Sequence, residues 1–265
     1  MKDQIHTPLQ MREVFHLEFL RWFSRKFEAE HYCLKGGVNL RLFLKSIRYS
    51  EDMDIDIQGV RIERVKKIVM EILSARGFSD NLKSFGIEKI VPPDIAKAKQ
   101  TETTQRFKIH LLTSGGEDLF TKVEFSRRGM KGNTIVESVS TSILRSYKMA
   151  PLLVPHYDVS SAVAQKIQAL AQRSVLQARD IFDLFVLSSQ YNEVQGKSYQ
   201  LSKTVLKTAY DNIFLMNFHR FRDTVVAYLG AEDQKTYSSQ AVWDEIKLKA
   251  AHFLEEFNKK PPSRD

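Results

Sequence analysis

Apolar residues return every three or four positions over residues 8–29, where Leu9, Val14, Phe15, Leu17, Phe19, Leu20, Phe23 and Phe27 mark one face of a helix. Thr7-Pro8 supplies a cap and a first-turn proline. A short strand is predicted over 31–34, running into Gly36-Gly37, then a helix over 38–45 and a strand over 53–58. A helix over 60–76 follows, with Gly77 as its stop, and then a strand over 86–92. Residues 104–113 and 119–128 alternate as two strands joined by "SGGED", a hairpin signal. From about residue 158 the period becomes helical throughout, over 158–173, 179–190, 199–211, 213–229 and 238–258. The change divides the chain into a mixed α/β part, 1–150, and a helical part, 151–265, whose last residues "NKKPPSRD" read as a frayed tail.

Composition adds limits. With 265 residues, 43% hydrophobic and 27% charged, the chain has enough apolar material for a substantial core. Forty Lys+Arg against 32 Asp+Glu leave a net charge of +8, which suits an anionic partner such as nucleic acid but is shared by many enzymes without one. No apolar run approaches the ~18 residues a membrane helix needs. The opening "MKDQIHTPLQ" lacks the apolar block of a signal peptide, so a cytoplasmic protein with no membrane partner is expected. The single cysteine, Cys33, excludes an intrachain disulfide and a thiolate metal cluster, and its apolar neighbours predict a buried, inert thiol. The seven histidines show no zinc-type spacing.

Candidate chemistry centres on "YSEDMDIDI". Side chains two apart on a strand share a face, so Asp52, Asp54 and Asp56 look one way and Met53, Ile55 and Ile57 the other. One reading is a solvated acidic face. The other is a metal seat: same-face carboxylates stand only ~7 Å apart, and Mg²⁺ converts their repulsion into shared coordination by hard oxygen ligands. Fifteen residues upstream, Gly36-Gly37 ends a strand and opens a helix. That is either an ordinary tight turn or a place where backbone N–H groups approach a phosphate. In "KVEFS", Glu124 lies between Val123 and Phe125; it is either a third carboxylate or an exposed strand residue. The "SRRGMKG" loop, with Arg127, Arg128 and Lys131, either follows a nucleic-acid backbone or is a solvated turn. Farther on, Lys166 and Arg173 share a helical face, with Val163, Ile167 and Leu170 forming the stripe that docks it. Asp180 and Asp183 lie three apart opposite Ile181, Leu184 and Phe185; Asp180 either caps its own helix or orients Lys166 or Arg179 through a buried pair.

The stretch "LKGGVNLRLFL…RYSEDMDIDI" resembles the opening motif of nucleotidyltransferases of the DNA polymerase β type. Within them it is most similar to the AbiEii/MenT-type toxins of type IV toxin–antitoxin systems, which read K-G-G-T-x-L-R and then R-[FY]-S-x-D-[LI]-D. Lys35, Gly36, Gly37, Leu40 and Arg41 match, as do Arg48, Tyr49, Ser50, Asp52 and Asp54; Val38-Asn39 stands where Thr-Ala is common. "AVAQKIQALAQRSVLQARDIFDLFVL" matches the later Lys and Arg-Asp pattern with Lys166, Arg179 and Asp180.

The resemblance implies an α+β fold, a polymerase β-like nucleotidyltransferase core (mixed sheet with flanking helices) followed by a mainly helical C-terminal domain that contributes Lys166 and Asp180 to the site. It implies transfer of NMP from an NTP to an RNA acceptor, the tRNA 3′ end, which blocks aminoacylation. Asp52, Asp54 and Glu124 would hold two Mg²⁺ ions, with Lys35, Gly36, Gly37, Ser50, Lys166 and Arg173 around the phosphates. Ser50 has no neighbouring histidine in sequence to make it a nucleophile, so it is expected on a phosphate or a metal-bound water, and as a site of modification by the antitoxin. A cognate antitoxin, a winged-helix transcription regulator, is the implied partner. Three rivals stay open: transfer to a protein or small-molecule hydroxyl, kinase-like transfer of the γ-phosphate, and non-catalytic RNA binding.

Overall fold

The computed structural model describes residues 6–95, 100–191 and 201–259. It divides into two compact units, Met1–Phe43 with Tyr49–His156, and Leu44–Arg48 with Tyr157–Asp265. Residues 260–265 of the expected tail, residues 199–200 of an expected helix, and the first five residues lie outside the described residues, while 258–259 of that tail end a helix.

The first unit is built on a mixed sheet of seven strands in the order β3-β4-β5-β2-β1-β7-β6. Its elements are α1 (Pro8–Phe23), β1 (Tyr32–Lys35), α2 (Gly36–Leu42), β2 (Asp52–Ile57), α3 (Ile62–Ser74), α4 (Arg76–Lys83), β3 (Ile87–Val91), β4 (Thr104–Thr113), β5 (Asp118–Ser126), β6 (Thr134–Ser138), α5 (Thr141–Ser146) and β7 (Leu153–Tyr157). Thr7 caps α1 in a reciprocal box with Gln10, which satisfies two of the free N–H groups at the helix start. One face of the sheet is apolar: Leu34, Met53, Ile55, Ile57, Phe107, Ile109, Val123 and Phe125 form one core with Phe15, Phe19 and Phe23 of α1 and with Val65, Val69, Phe78 and Leu82 of α3 and α4. Burying the aromatic row of α1 stabilises this unit by about 1.5–3 kcal/mol for each large side chain.

The elements depart from the sequence expectation in places with identifiable causes. Gly77 does not stop a helix; the chain turns at Ala75, and Gly77 lies in the first turn of α4, which Phe78 and Leu82 anchor from one face. β6, α5 and β7 were not expected. β7 contains Pro155, which removes a ladder donor and masks a strand in sequence.

The second unit holds α6 (Val159–Gln172), α7 (Ala178–Ser188), α8 (Lys203–Phe214), α9 (Phe218–Thr224), α10 (Ala231–Tyr237) and α11 (Gln240–Lys259). Ile167, Leu170, Ile181, Leu184, Leu187, Leu206, Ile213 and Leu254 are buried, and Trp243 stacks on Phe221 at 4.3 Å between ring centroids. The expected helix over 213–229 is broken because the Asn217 side chain accepts from the N–H of Arg220 and starts a new helix. α10 buries no residue and so leaves no apolar period to read. The segment Leu44–Arg48 belongs to this unit; Gln190, in the turn after α7, donates to the Leu44 carbonyl at 2.9 Å.

Candidate active site

In the first unit, β2 runs antiparallel to β1 and parallel to β5, and this register decides which polar side chains meet. Lys35 stands opposite Asp54; Asp52, Asp54 and Asp56 stand beside Lys122, Glu124 and Ser126; and Arg106 of β4 stands opposite Glu124. Because partners in register share a face, the polar face of the sheet carries four carboxylates with interleaved cations. Met53, Ile55 and Ile57 point into the core as alternation requires.

The charges pair unevenly. Lys35 Nζ lies 2.5 Å from Asp56 Oδ1, with Asp56 buried. Lys122 Nζ lies 3.0 Å from Asp52 Oδ2 and 4.0 Å from Glu124 Oε2. Arg106 Nε holds Glu124 Oε2 at 2.7 Å. Asp54 makes no ion pair among the described residues. Its carboxyl is pushed above the ordinary aspartate range, by burial first and by the nearby Glu124 and Asp52, while Lys35 and Lys122 pull the other way. A half-buried carboxylate between other carboxylates, with no cation of its own, is a group that a bound cation would relieve.

Gly36 packs its bare backbone against that carboxylate. It takes a left-handed φ of +68°, and a β-carbon there would stand 2.8 Å from Asp54 Oδ2. Gly37 has no positive φ, so Gly36 is the position where glycine is required. Ser50 donates to the backbone carbonyl of Asp52 at 2.9 Å and so fixes the entry of β2. From below, Thr121 Oγ1 donates to the Glu51 carbonyl at 2.6 Å, and buried His16, 2.9 Å from the same hydroxyl, therefore donates to it through Nε2.

The flanking motif residues brace this strand-turn-helix. Arg41 Nε bonds Glu13 Oε1 at 2.6 Å and its guanidinium lies 4.1 Å from the centre of the Tyr49 ring; Tyr147 donates to the other Glu13 oxygen at 2.7 Å. Asn39 Oδ1 accepts from His156 Nδ1 at 2.9 Å, and Phe43 stacks on that imidazole at 3.8 Å, so the Asn in this chain fills a packing role. In the basic loop, Arg127 is held by Gln105 and by the Val60 carbonyl, whereas Arg128 and Lys131 are exposed.

The other expected residues meet inside the helical unit. Lys166 Nζ lies 3.0 Å from Asp180 Oδ1 and 2.6 Å from Asp183 Oδ2. Arg173 reaches Asp180 at 2.9 Å and Arg48 reaches Asp183 at 3.1 Å. Both carboxylates are fully buried and Lys166 is 9% exposed, so Lys166 is no snorkelling surface lysine. Asp180 lies in the first turn of α7 and also pairs with Lys166, with Arg173 as its second partner and Arg179 exposed. Burial pushes Asp183 up, yet Arg48 and Lys166 more than reverse it and its carboxyl titrates below the usual range. Sequence reading did not find the roles of Lys122, Arg106 and Arg48 in these pairs; Arg48 is visible only as a motif match.

Among the described residues, Glu28, Glu30 and His31 have ligand atoms within 4.8 Å of one another, but both glutamates are exposed and the three sit on a surface turn. Among the described residues Asp52, Asp54 and Glu124 do not close to that spacing; what suits them to a hard cation is that their donors are all oxygen and share a face by register.

The structure resembles MenT4, a nucleotidyltransferase toxin from Mycobacterium tuberculosis, with 16% identity and a TM-score of 0.65 over 95% of this chain and 87% of that one. JHP933 from Helicobacter pylori matches over 97% of this chain and 94% of its own, with 17% identity and a TM-score of 0.53. At such identities these likenesses establish the fold. No curated protein matches the chain by sequence. The profile of the AbiEii nucleotidyl transferase toxins of type IV toxin–antitoxin systems matches residues 18–262, and the chain belongs to that family.

Proposed function

We propose that this nucleotidyltransferase moves a nucleoside monophosphate from an NTP to the 3′ hydroxyl of an RNA, with tRNA as the acceptor, and that Asp52, Asp54 and Glu124 hold Mg²⁺ for the reaction. The observation that carries the reading is Asp54: a carboxylate with no ion pair among the described residues, flanked in register by Lys35 and Glu124, with the bare backbone of Gly36 against it. Bound there, Mg²⁺ would neutralise the phosphates and lower the pKa of the attacking hydroxyl.

The chain's own residues do the positioning. Ser50 and the His16–Thr121 relay hold the start of β2, which keeps Asp52 and Asp54 at fixed height on the sheet. Gly36 and Gly37 leave room for phosphate oxygens beside Asp54. Lys166, with Arg173, is proposed as a phosphate cation, and within the helical unit its ammonium is held by Asp180 and Asp183. Such a site works by alignment and charge neutralisation, which suffices for phosphoryl chemistry. The family implies a cognate antitoxin; we propose a winged-helix regulator as that partner and the cytoplasm as the place of action.

Incubation with each α-labelled NTP, Mg²⁺ and total tRNA tests the reading on the wild type, Asp52→Ala and Lys166→Ala. Label should enter tRNA with the wild type and fall at least a hundredfold with either variant. Equal labelling by all three would end the assignments. Label in protein instead of tRNA would move the acceptor to a protein hydroxyl, and transfer from γ-labelled NTP would make the enzyme a kinase.

A further inference from the structure

The carboxylate row carries its own cation. Lys122 is the register neighbour of Asp52 on β5, shares its face, and places its ammonium 3.0 Å from Asp52 Oδ2 and 4.0 Å from Glu124 Oε2. Those are two of the three carboxylates assigned above to the metal. Any divalent ion held by Asp52 and Glu124 has to share their oxygens with this ammonium or displace it. Displacement is mechanically easy: the lysine stem is flexible, the charge is a compact point, and the side chain is 23% exposed, so it can swing with no change in the strand. Glu124 has Arg106 as a second partner and Asp56 has Lys35, so Asp52 is the member of the row whose paired cation is Lys122.

Resting on the nucleotidyltransferase reading, we propose that Lys122 is a resident counter-cation that guards the metal seat: it competes with a divalent ion for Asp52 and Glu124, and once displaced it turns to the negative charge of the incoming nucleotide. The arrangement makes binding of metal and nucleotide cooperative. A metal alone must evict Lys122 into solvent, whereas a metal arriving with a triphosphate leaves the ammonium a phosphate partner. Lys122 is in this sense a positioning and gating residue for loading.

The test uses the full chain and Mn²⁺ alone, with bound ion measured from the loss of the free Mn²⁺ resonance signal, then repeated with a non-hydrolysable α,β-methylene NTP. Four proteins are compared after thermal melts confirm that they are folded: wild type, Lys122→Met, Lys122→Arg and Asp52→Asn. Lys122→Met should bind Mn²⁺ alone roughly tenfold more tightly than the wild type, since a competing charge has gone from a half-exposed pair. Lys122→Arg should stay with the wild type, and the analogue should tighten Mn²⁺ binding in the wild type more than in Lys122→Met. If Lys122→Met is unfolded, Lys122→Gln replaces it. Lys122→Met binding no tighter than wild type, while Asp52→Asn loses binding, overturns the guard role and leaves the metal seat standing. Asp52→Asn binding as well as wild type places the ion elsewhere and removes the metal seat and the guard together.

Discussion

A β-carbon at Gly36 would stand 2.8 Å from Asp54 Oδ2, so the turn that opens α2 and the middle carboxylate of β2 occupy space that no other residue type can share. Replacing Gly36 by Ala forces two changes at once. The left-handed φ of +68° strains an alanine by about 1–2 kcal/mol, and Asp54 has to move aside. The structural cost is modest and the displacement is local, so Gly36→Ala should lower the melting temperature by only a few degrees while reducing nucleotide transfer by roughly a hundredfold, a loss typical of misplaced catalytic groups. Parallel melts and transfer assays decide it; a variant with normal turnover would mean that Asp54 needs no exact placement.

His16 makes the first unit sensitive to acid. Burial, and then the charge of Arg12, hold its imidazole down to about 3 from an ordinary 6.5. Between those values the unfolded chain binds a proton that the folded chain refuses, so stability falls as the pH drops through that window. Above pH 6.5 the residue adds no slope. From pH 6.5 to 4.5 it should remove about 2–3 kcal/mol. Urea titrations of wild type and His16→Gln at both values isolate the effect, because the carboxylates titrate in both proteins. Parallel losses would show that His16 is protonated in the fold.

Arg48 and Asp183, 135 positions apart, form a buried pair whose loss should be felt in stability before activity is considered. Arg48→Ala strips one cation from a carboxylate with no access to water, and breaking such a pair costs about 3–5 kcal/mol. Asp183 is held ionised below the usual range, so its contribution is present above the ordinary aspartate value and is lost as pH falls through its folded value. The stability gap between wild type and Asp183→Asn should therefore be widest near neutrality and close toward strong acid. A gap that is flat across the same range would contradict the lowered titration.

What the sequence shows and what it hides follow from how far each interaction reaches along the chain. Alternation over Asp52–Ile57 is local, so the aspartate face and its apolar reverse side can be read directly, within one residue of the strand itself. The cations beside those carboxylates cannot, because Lys122 and Arg106 arrive through the parallel register of β2 with β5 and the antiparallel register of β5 with β4. Arg48 looks like part of the first motif, yet its partner sits on α7. β7 is hidden in the sequence for a different reason: Pro155 argues against a strand, and its register with β1 pairs Leu34 with His156. Gly77 does not act as a stop because a glycine in a first turn is tolerated when Phe78 and Leu82 hold the helix.

Lys166 is where structure and catalysis can be pulled apart. Its ammonium lies 3.0 Å from Asp180 and 2.6 Å from Asp183, both fully buried, so its removal leaves carboxylates short of positive charge whatever it does to a nucleotide. Lys166→Met alone should therefore lose both stability, by about 3 kcal/mol or more, and transfer. Adding Asp180→Asn removes one negative charge along with the lost positive one, while Asp183 keeps Arg48 and the residue 180 amide stays near Arg173. The double variant should recover most of the stability, because a balanced cluster no longer buries an uncompensated charge. Its transfer activity should stay at least a hundredfold down, since the cation proposed for the triphosphate is still missing. Recovery of both together would reduce Lys166 to a scaffold residue, and a double variant no more stable than Lys166→Met would show that the buried charges are balanced by other groups.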